Sequence, residues 1–448
     1  MKHRSAALAA FLSFLFPGLG HAYLGRRRAA LVFALPMLLA LVAIGLELLG
    51  GIDSTLAYLI SPSGSMNALV LILLTGAWRL IAMMDAVLVV RRQSGIRVPA
   101  MALTGALLAV VLVTHAAGAY VAYSVYDAGS RIFVGEGPDG TPPPAPSGGS
   151  QDASPSPSDE FVATPLATPQ TASSRINILL TGIDSAAGRD HALTDTLLVV
   201  SVNPVDHSVV MLSMPRDVSN FPMYNGRTYT GKINSLMTWA AAHPSDYPDG
   251  PFPTLIRELG YLIGVPIHYY AAIDLMGFKR MIDVVGGVTV DNPRVINDPL
   301  YDWLDGTSGF YLKAGTVTLD GRTALAYVRS RQGAGDNDFT RAARQQQLLV
   351  ALRAKLVSPA MITKLPAILQ VAGDTVRTNL PTDRLDEFIA LARGVDTSAI
   401  QRYVLGPPIS LHPPTSSTGG IYTLQLQMDR MAKLSVELFG SDSRYAGN

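Results

Sequence analysis

The sequence predicts an α/β domain with a mixed sheet flanked by helices, preceded by an N-terminal bundle of transmembrane helices. Three observations carry that prediction. Residues 29–50, 66–90 and 99–123 are apolar stretches long enough to span a bilayer. Beyond residue 174 the pattern changes to short apolar runs of strand length interleaved with amphipathic stretches of helical length. Hydrophobic residues make up 48% of the 448 and charged ones only 15%, a skew that calls for a membrane portion.

Composition also excludes some functions. A formal net charge of +1 lacks the basic surplus of a nucleic-acid footprint. With no cysteine there is no disulfide framework, thiolate nucleophile or Cys-ligated zinc, and the absence fits either redox compartment.

In chain order, the first apolar run, 6–16, is about three helical turns long and stops at Pro17-Gly18-Leu19-Gly20. That length suits a half-helix or a re-entrant segment. Further spans follow, and no small-residue cleavage site precedes Arg26, so the run is not read as a removed signal peptide. Orientation follows from Lys2, Arg4, the Arg26-Arg27-Arg28 run, and Arg91, Arg92 and Arg97. With three full spans all of these lie inside and everything after Tyr126 lies outside. Four spans with an exterior N-terminus would export the C-terminal half equally well. Glu47 and Asp85 near span ends and Arg79 within a span are expected to snorkel or to pair with each other.

Residues 131–174 are rich in Pro, Ser and Thr, with nine prolines between 137 and 174. Such a segment buries too little apolar surface to offset its ordering entropy, so it reads as an extended tether between residues 1–130 and 175–448. In the C-terminal part, 176–180, 197–202 and 209–213 read as strands of a sheet covered on both faces. Helices are expected at 252–263 and 275–285, a strand at 288–290, and helices again at 381–393 and 421–439, the last two flanking a Gly/Pro-rich loop at 406–420.

The chain is organised around residues 327–347, YVRSRQGAGDNDFTRAARQQQ. The small apolar residues 324–328 predict a strand, from which Arg329 and Arg331 leave on one face. Gly333 and Gly335 turn the backbone. A helix then starts near Asp338 and presents Arg341, Arg344 and Gln345 at i, i+3 and i+4. Four guanidiniums aimed at one volume repel one another unless an anion sits among them, and their forks match phosphate oxygens. A lone Arg-x-Arg is ordinarily solvated surface; its combination with a glycine loop and helix arginines points to a phosphate or pyrophosphate site. Asp184, in Thr-Gly-Ile-Asp after the first strand, and Asp195, in Thr-Asp-Thr before the second, are candidate ligands for Mg²⁺ or Mn²⁺. Each alone also fits a turn or a cap. Arg216, in Met-Pro-Arg-Asp just past a strand, adds another guanidinium or a surface ion pair with Asp217.

These motifs, with Lys232-Ile-Asn, Gly277-Phe, Asp283-Val-Val-Gly-Gly-Val and Tyr327-x-Arg-x-Arg, occur in the order and rough spacing of the LytR–CpsA–Psr family, over about residues 175–357. The chain resembles that family. The resemblance implies an extracytoplasmic phosphotransferase on the cytoplasmic membrane, with some pyrophosphatase side activity. Its donor would be a polyprenyl-pyrophosphate-linked glycan and its acceptor a sugar hydroxyl of peptidoglycan. It further implies that Asp184 and Asp195 serve Mg²⁺, and that Arg216, Arg329, Arg331, Arg341 and Gln345 contact the pyrophosphate. Arg329 and Arg331 would stabilise developing charge. Asp338, the nearest carboxylate, is a candidate base and equally a helix N-cap. One departure is Leu193, where the family often has arginine; Arg189 lies near enough in sequence to substitute. The competing reading is a non-catalytic lipid-binding or regulatory protein, which would keep the arginines without needing paired acidic residues.

Overall fold

The computed structural model describes residues 5–94, 98–133, 174–184, 193–303 and 305–447. Much of the expected tether, and Arg189, lie outside them. The chain divides into two compact units, Met1–Gly129 with Asp383–Ile389, and Ser130–Thr382 with Ala390–Asn448.

The first unit is helical: α1 (Ala6–Leu15), α2 (Leu19–Tyr23), α3 (Arg27–Leu49), α4 (Ile52–Ile60), α5 (Pro62–Ser94) and α6 (Val98–Ile132). Helices α3, α5 and α6 are long and apolar enough to cross a membrane. Every side chain of α3 is at least partly exposed, as befits a helix that is apolar all round. The short α1 packs against α5, with Ala6, Ala9 and Val90 in one cluster. This contact corrects the expectation for the intramembrane charges. Arg79 Nη2 donates to the carbonyl of Phe14 at 2.5 Å, and Asp85 Oδ2 lies 2.9 Å from His21 Nε2 and 3.6 Å from Arg26. Arg79 and Asp85 are therefore met by residues of α1, α2 and the start of α3 rather than by each other. The physical reason is that the last carbonyls of a helix have no intrahelical donor, and α1 brings one of them to Arg79.

The second unit is built on a six-stranded mixed sheet. Its strands are β1 (Ile176–Asp184), β2 (Leu193–Val202), β3 (Val209–Ser213), β6 (Tyr269–Asp274), β11 (Val376–Thr378) and β12 (Gln401–Val404), in the order β11-β6-β1-β2-β3-β12. Pairs β1/β6 and β3/β12 are parallel; β1/β2, β2/β3 and β6/β11 are antiparallel. All five residues of β3 are buried, because both faces of the sheet are covered. On one face Leu197, Val199, Val210 and Leu212 pack with helices α7 (Leu236–Ala242), α8 (Pro251–Ile263) and α15 (Met428–Phe439). On the other, Leu198, Val209 and Met211 meet Leu349 and Val350 of α11 (Asp338–Leu356). A hairpin of β4 (Ser219–Pro222) and β5 (Thr228–Lys232) follows β3.

A second core gathers α9 (Leu275–Val285), the pair β7 (Val288–Asn292) and β10 (Gly315–Leu319), the hairpin β8 (Ile296–Asp302) and β9 (Ser308–Leu312), and helix α10 (Gly321–Arg329). Helix α12 (Leu365–Thr375) leads into β11, and α13 (Leu385–Gly394) precedes β12. The C-terminal segment adds the pair β13 (Ser410–Leu411) and β14 (Gln425–Leu426), with the turn α14 (Thr415–Thr418) between them.

Two expectations change. The run 324–328 is not a strand but the body of α10, whose first turn is capped by Asp320 accepting the Thr323 N–H at 2.7 Å. A short buried apolar run looks alike in either state, and the cap decides it. The last helix occupies only Met428–Phe439; residues 421–427 form an extended segment and β14, because Leu424 bonds to the backbone at Asp217 and Ser219.

Candidate active site

Helix α10 ends at Arg329, and Ser330 leaves it with an extended ψ of 137°. Arg329 and Arg331 are therefore presented by a helix end and the residue beyond it, not by a continuing strand. One buried carboxylate shapes this exit. Asp298 Oδ2 accepts from Ser330 Oγ at 2.8 Å and from the N–H groups of Arg331 and Gln332 at 3.1 Å each. Burial pushes the Asp298 pKa up, but these donors outweigh it and hold the group below the usual carboxylate range. Asp298 was not anticipated from the sequence. Asp-Pro in a β-hairpin carries no signal for a partner 33 residues away.

The glycine loop returns the chain to α11. A Cβ on Gly333 would lie 2.8 Å from the Asn297 carbonyl, and Gly335 has φ +73°, so both positions need glycine. Asn337 caps α11, with its side chain accepting the Thr340 N–H at 2.9 Å and the Thr340 hydroxyl bonding back to Asn337. Asp338 is thus the first helical residue and not the cap. Its carboxylate is free to face the arginines, at 3.0 Å from Arg341 Nη2 and 3.8 Å from Arg331 Nη1.

Arg216, Arg329, Arg331, Arg341 and Gln345 line one cavity of about 130 Å³, together with Thr196, Leu275 and Val328. An apolar cavity of about 220 Å³ shares Thr196, Leu275, Val328 and Gln345 with it and continues between α9 and the sheet past Phe278, Ala272 and Leu349. Arg344, expected among the pyrophosphate contacts, does not line the arginine cavity. It is buried beneath the loop, where it bonds to Asp336 Oδ2 at 3.0 Å and to the Ser330 carbonyl, and lies over the Tyr327 ring. Asp336 also pairs with Arg294 at 2.5 Å.

Beside Arg216, Asp217 is bonded to Lys232 Nζ at 2.5 Å. Burial favours its neutral form, yet its bond to Lys232, the Lys232 charge and the Arg216 charge lower its pKa. At this site five cationic side chains, Arg216, Lys232, Arg329, Arg331 and Arg341, face two carboxylates, Asp217 and Asp338. Such an excess of positive charge around a small cavity suits a multiply charged anion.

Asp184 ends β1 opposite Leu193, and Asp195 falls at the irregularity in the β1/β2 register. Both backbones are therefore at the same end of one strand pair, and Thr196 next to Asp195 lines the arginine cavity. Their side chains lie outside the described part of the structure, so the expected metal contacts do too. Among the described residues no group of three or more His, Cys, Asp or Glu is arranged to hold a metal.

Fold and site together define a class: an α/β domain with an arginine-lined cavity adjoining an apolar one, in a chain carrying helices of membrane-spanning length. The chain belongs to the LytR–CpsA–Psr family (LytR_cpsA_psr), whose model matches residues 150–440. It is similar to the polyisoprenyl-teichoic acid–peptidoglycan teichoic acid transferase TagU of Halalkalibacterium halodurans, with 30% identity over 263 residues, covering 58% of this chain and 77% of the relative. The TagU of Bacillus subtilis (strain 168) is 26% identical over 262 residues, 58% of this chain and 76% of that one. Among solved structures, B. subtilis TagV aligns over 60% of this chain and 98% of its own, with 27% identity and a TM-score of 0.46.

Proposed function

We propose that this protein is a membrane-anchored phosphotransferase that moves a glycopolymer from a polyprenyl-pyrophosphate carrier to a sugar hydroxyl of peptidoglycan. The observation that carries the proposal is the junction of the arginine cavity with the apolar one. A ligand with a doubly charged head and a hydrocarbon tail matches that pair. The relatives named as polyisoprenyl-teichoic acid–peptidoglycan transferases support the donor and acceptor classes.

The reaction forms a bond from the acceptor oxygen to the glycan-bearing phosphorus and breaks the bond from that phosphorus to the lipid phosphate. The lipid monophosphate leaves with added negative charge. Such transfer asks chiefly for positioning and charge neutralisation. Arg329, Arg331 and Arg341 supply donors to the leaving phosphate, with Arg216 and Gln345 holding the diphosphate. Asp338, buried among the arginines yet not used as a cap, receives the acceptor's proton. Water in place of the sugar would give a pyrophosphatase side reaction. Asp184 and Asp195, oxygen donors at one sheet end beside Thr196, suit Mg²⁺ or Mn²⁺, which when bound would neutralise diphosphate charge. In the three-span topology the basic clusters stay cytoplasmic and the catalytic unit is exported; a reporter fused after Tyr126 should then read outside and one at Gly95 inside.

The test is divalent-dependent release of phosphate from geranyl pyrophosphate by the detergent-purified full chain, with Asp184→Ala and Asp195→Ala alongside. Turnover that needs the metal and falls in both variants supports the transferase. Tight binding without turnover under any divalent ion would favour the lipid-binding reading instead.

A further inference from the structure

The lip of the arginine cavity carries groups that the transfer step above does not use. The extended segment before β14 is zipped to the chain just after Arg216. The Leu424 N–H donates to the Asp217 carbonyl at 2.9 Å, and the Leu424 carbonyl accepts from the Ser219 N–H at 2.8 Å. Tyr422, two residues earlier, is thereby held beside the acidic side of the site. Burial raises its pKa above that of an ordinary phenol, and the charges of Asp338 and Asp217 add to the rise.

Tyr422 nevertheless keeps 42% of its surface exposed, and its ring meets that of His412 edge-on at 4.7 Å and 86°. His412 Nδ1 lies 2.7 Å from the Pro413 carbonyl, which leaves Nε2 as the open ring nitrogen. Among the described residues neither the Tyr422 hydroxyl nor His412 Nε2 has a hydrogen-bond partner. The lip therefore combines an open aromatic face with two unused polar tips.

That set of groups matches one ligand chemistry. A pyranose has an apolar C–H face that packs on an aromatic ring and a rim of hydroxyls that bond to phenol or imidazole. We propose that Tyr422 and His412 form a stacking subsite for a sugar ring at the lip of the cavity, with the Tyr422 hydroxyl and His412 Nε2 bonding to its hydroxyls. This rests on the phosphotransferase reading, which brings two sugars to the site: the first residue of the donor glycan and the acceptor residue.

Three probes separate these sources on the full-length protein in detergent micelles: farnesyl pyrophosphate, farnesyl pyrophosphate carrying one N-acetylhexosamine, and a soluble peptidoglycan glycan fragment. Tyr422→Ala should bind farnesyl pyrophosphate as the parent does and lose about tenfold in affinity for one sugar-bearing probe. The loss falls on the glycosylated lipid if the ring belongs to the donor, and on the glycan fragment if it belongs to the acceptor. Tyr422→Phe should keep most of the binding because stacking survives, and His412→Ala should fall between. Thermal melts control for folding, and Tyr422→Leu, which keeps bulk but no ring, replaces the alanine variant if that one is unstable. Parental affinity of the folded variants for both sugar probes overturns the subsite and leaves the phosphotransferase reading intact. A parent protein that fails to bind farnesyl pyrophosphate overturns both.

Discussion

Removing Asp298 should disarm the arginine site without touching any arginine. Its Oδ2 takes three hydrogen bonds from the consecutive residues 330–332 that leave α10, and Oδ1 takes a fourth from the Leu300 N–H at 3.2 Å. In Asp298→Ala the Ser330 hydroxyl, itself 1% exposed, and the half-buried Arg331 N–H lose their acceptor. The exposed backbone at Gln332 can turn to water. At about 1–3 kcal/mol for each stranded buried donor, the cost is roughly 2–5 kcal/mol. Asp298→Asn keeps an oxygen in place and loses only the charge assistance, so about 1–2 kcal/mol is expected. Arg331 is anchored by the same bonds, so the alanine variant should also lose pyrophosphate affinity by at least tenfold. Urea unfolding and titration with farnesyl pyrophosphate measure the two effects. The pH sign is fixed by the depressed pKa: this stabilisation is present above the unfolded value of about 3.9 and drains away as pH falls through the lower folded value. The parent and Asp298→Asn should therefore converge in stability at acid pH. An alanine variant within about 0.5 kcal/mol of the parent, with unchanged affinity, would refute the clamp.

The other predictions concern neighbouring charges. Arg341→Lys, at the cavity wall, should weaken pyrophosphate binding by roughly 10- to 100-fold with little change in stability, since a point charge replaces a planar fork. Arg344→Lys should do the reverse, lowering the melting temperature while changing binding less, because its bonds are to Asp336 and Ser330; equal effects of the two variants on binding would refute the division. Glu258 is fully buried on α8, accepts the Tyr224 N–H at 3.1 Å, and burial pushes its pKa up to about 7. The folded state then holds a proton the unfolded state has released, so stability should fall as pH rises from about 4.5 to 7 and level off above. Glu258→Gln should remove that slope and be the more stable protein at pH 8, by up to about 3 kcal/mol; parallel stability–pH curves for the two would count against it.

What the sequence by itself determined is what local chemistry can specify. Length and apolarity marked the three helices, and the start of α11 at Asp338 was legible, though its cap is Asn337. The glycine turn between α10 and α11 was legible and brings Arg329, Arg331, Arg341 and Gln345 to one cavity, although the strand spacing expected of Arg329 and Arg331 does not occur. The same reading missed the helical state of 324–328, where the Asp320 cap outweighed a run that would suit either structure.

Tertiary structure alone decided which of the α11 arginines faces the cavity. Arg341 and Arg344 stand three residues apart on one helix and read alike in sequence, but α11 docks with Leu349 and Val350 against the sheet, and that rotation sends one guanidinium into the cavity and the other under the loop. Asp298, the Lys232–Asp217 pair and the Leu424 zip likewise join segments distant along the chain. Their pairing follows from burying both faces of one sheet, a condition on the whole chain to which no local residue pattern responds.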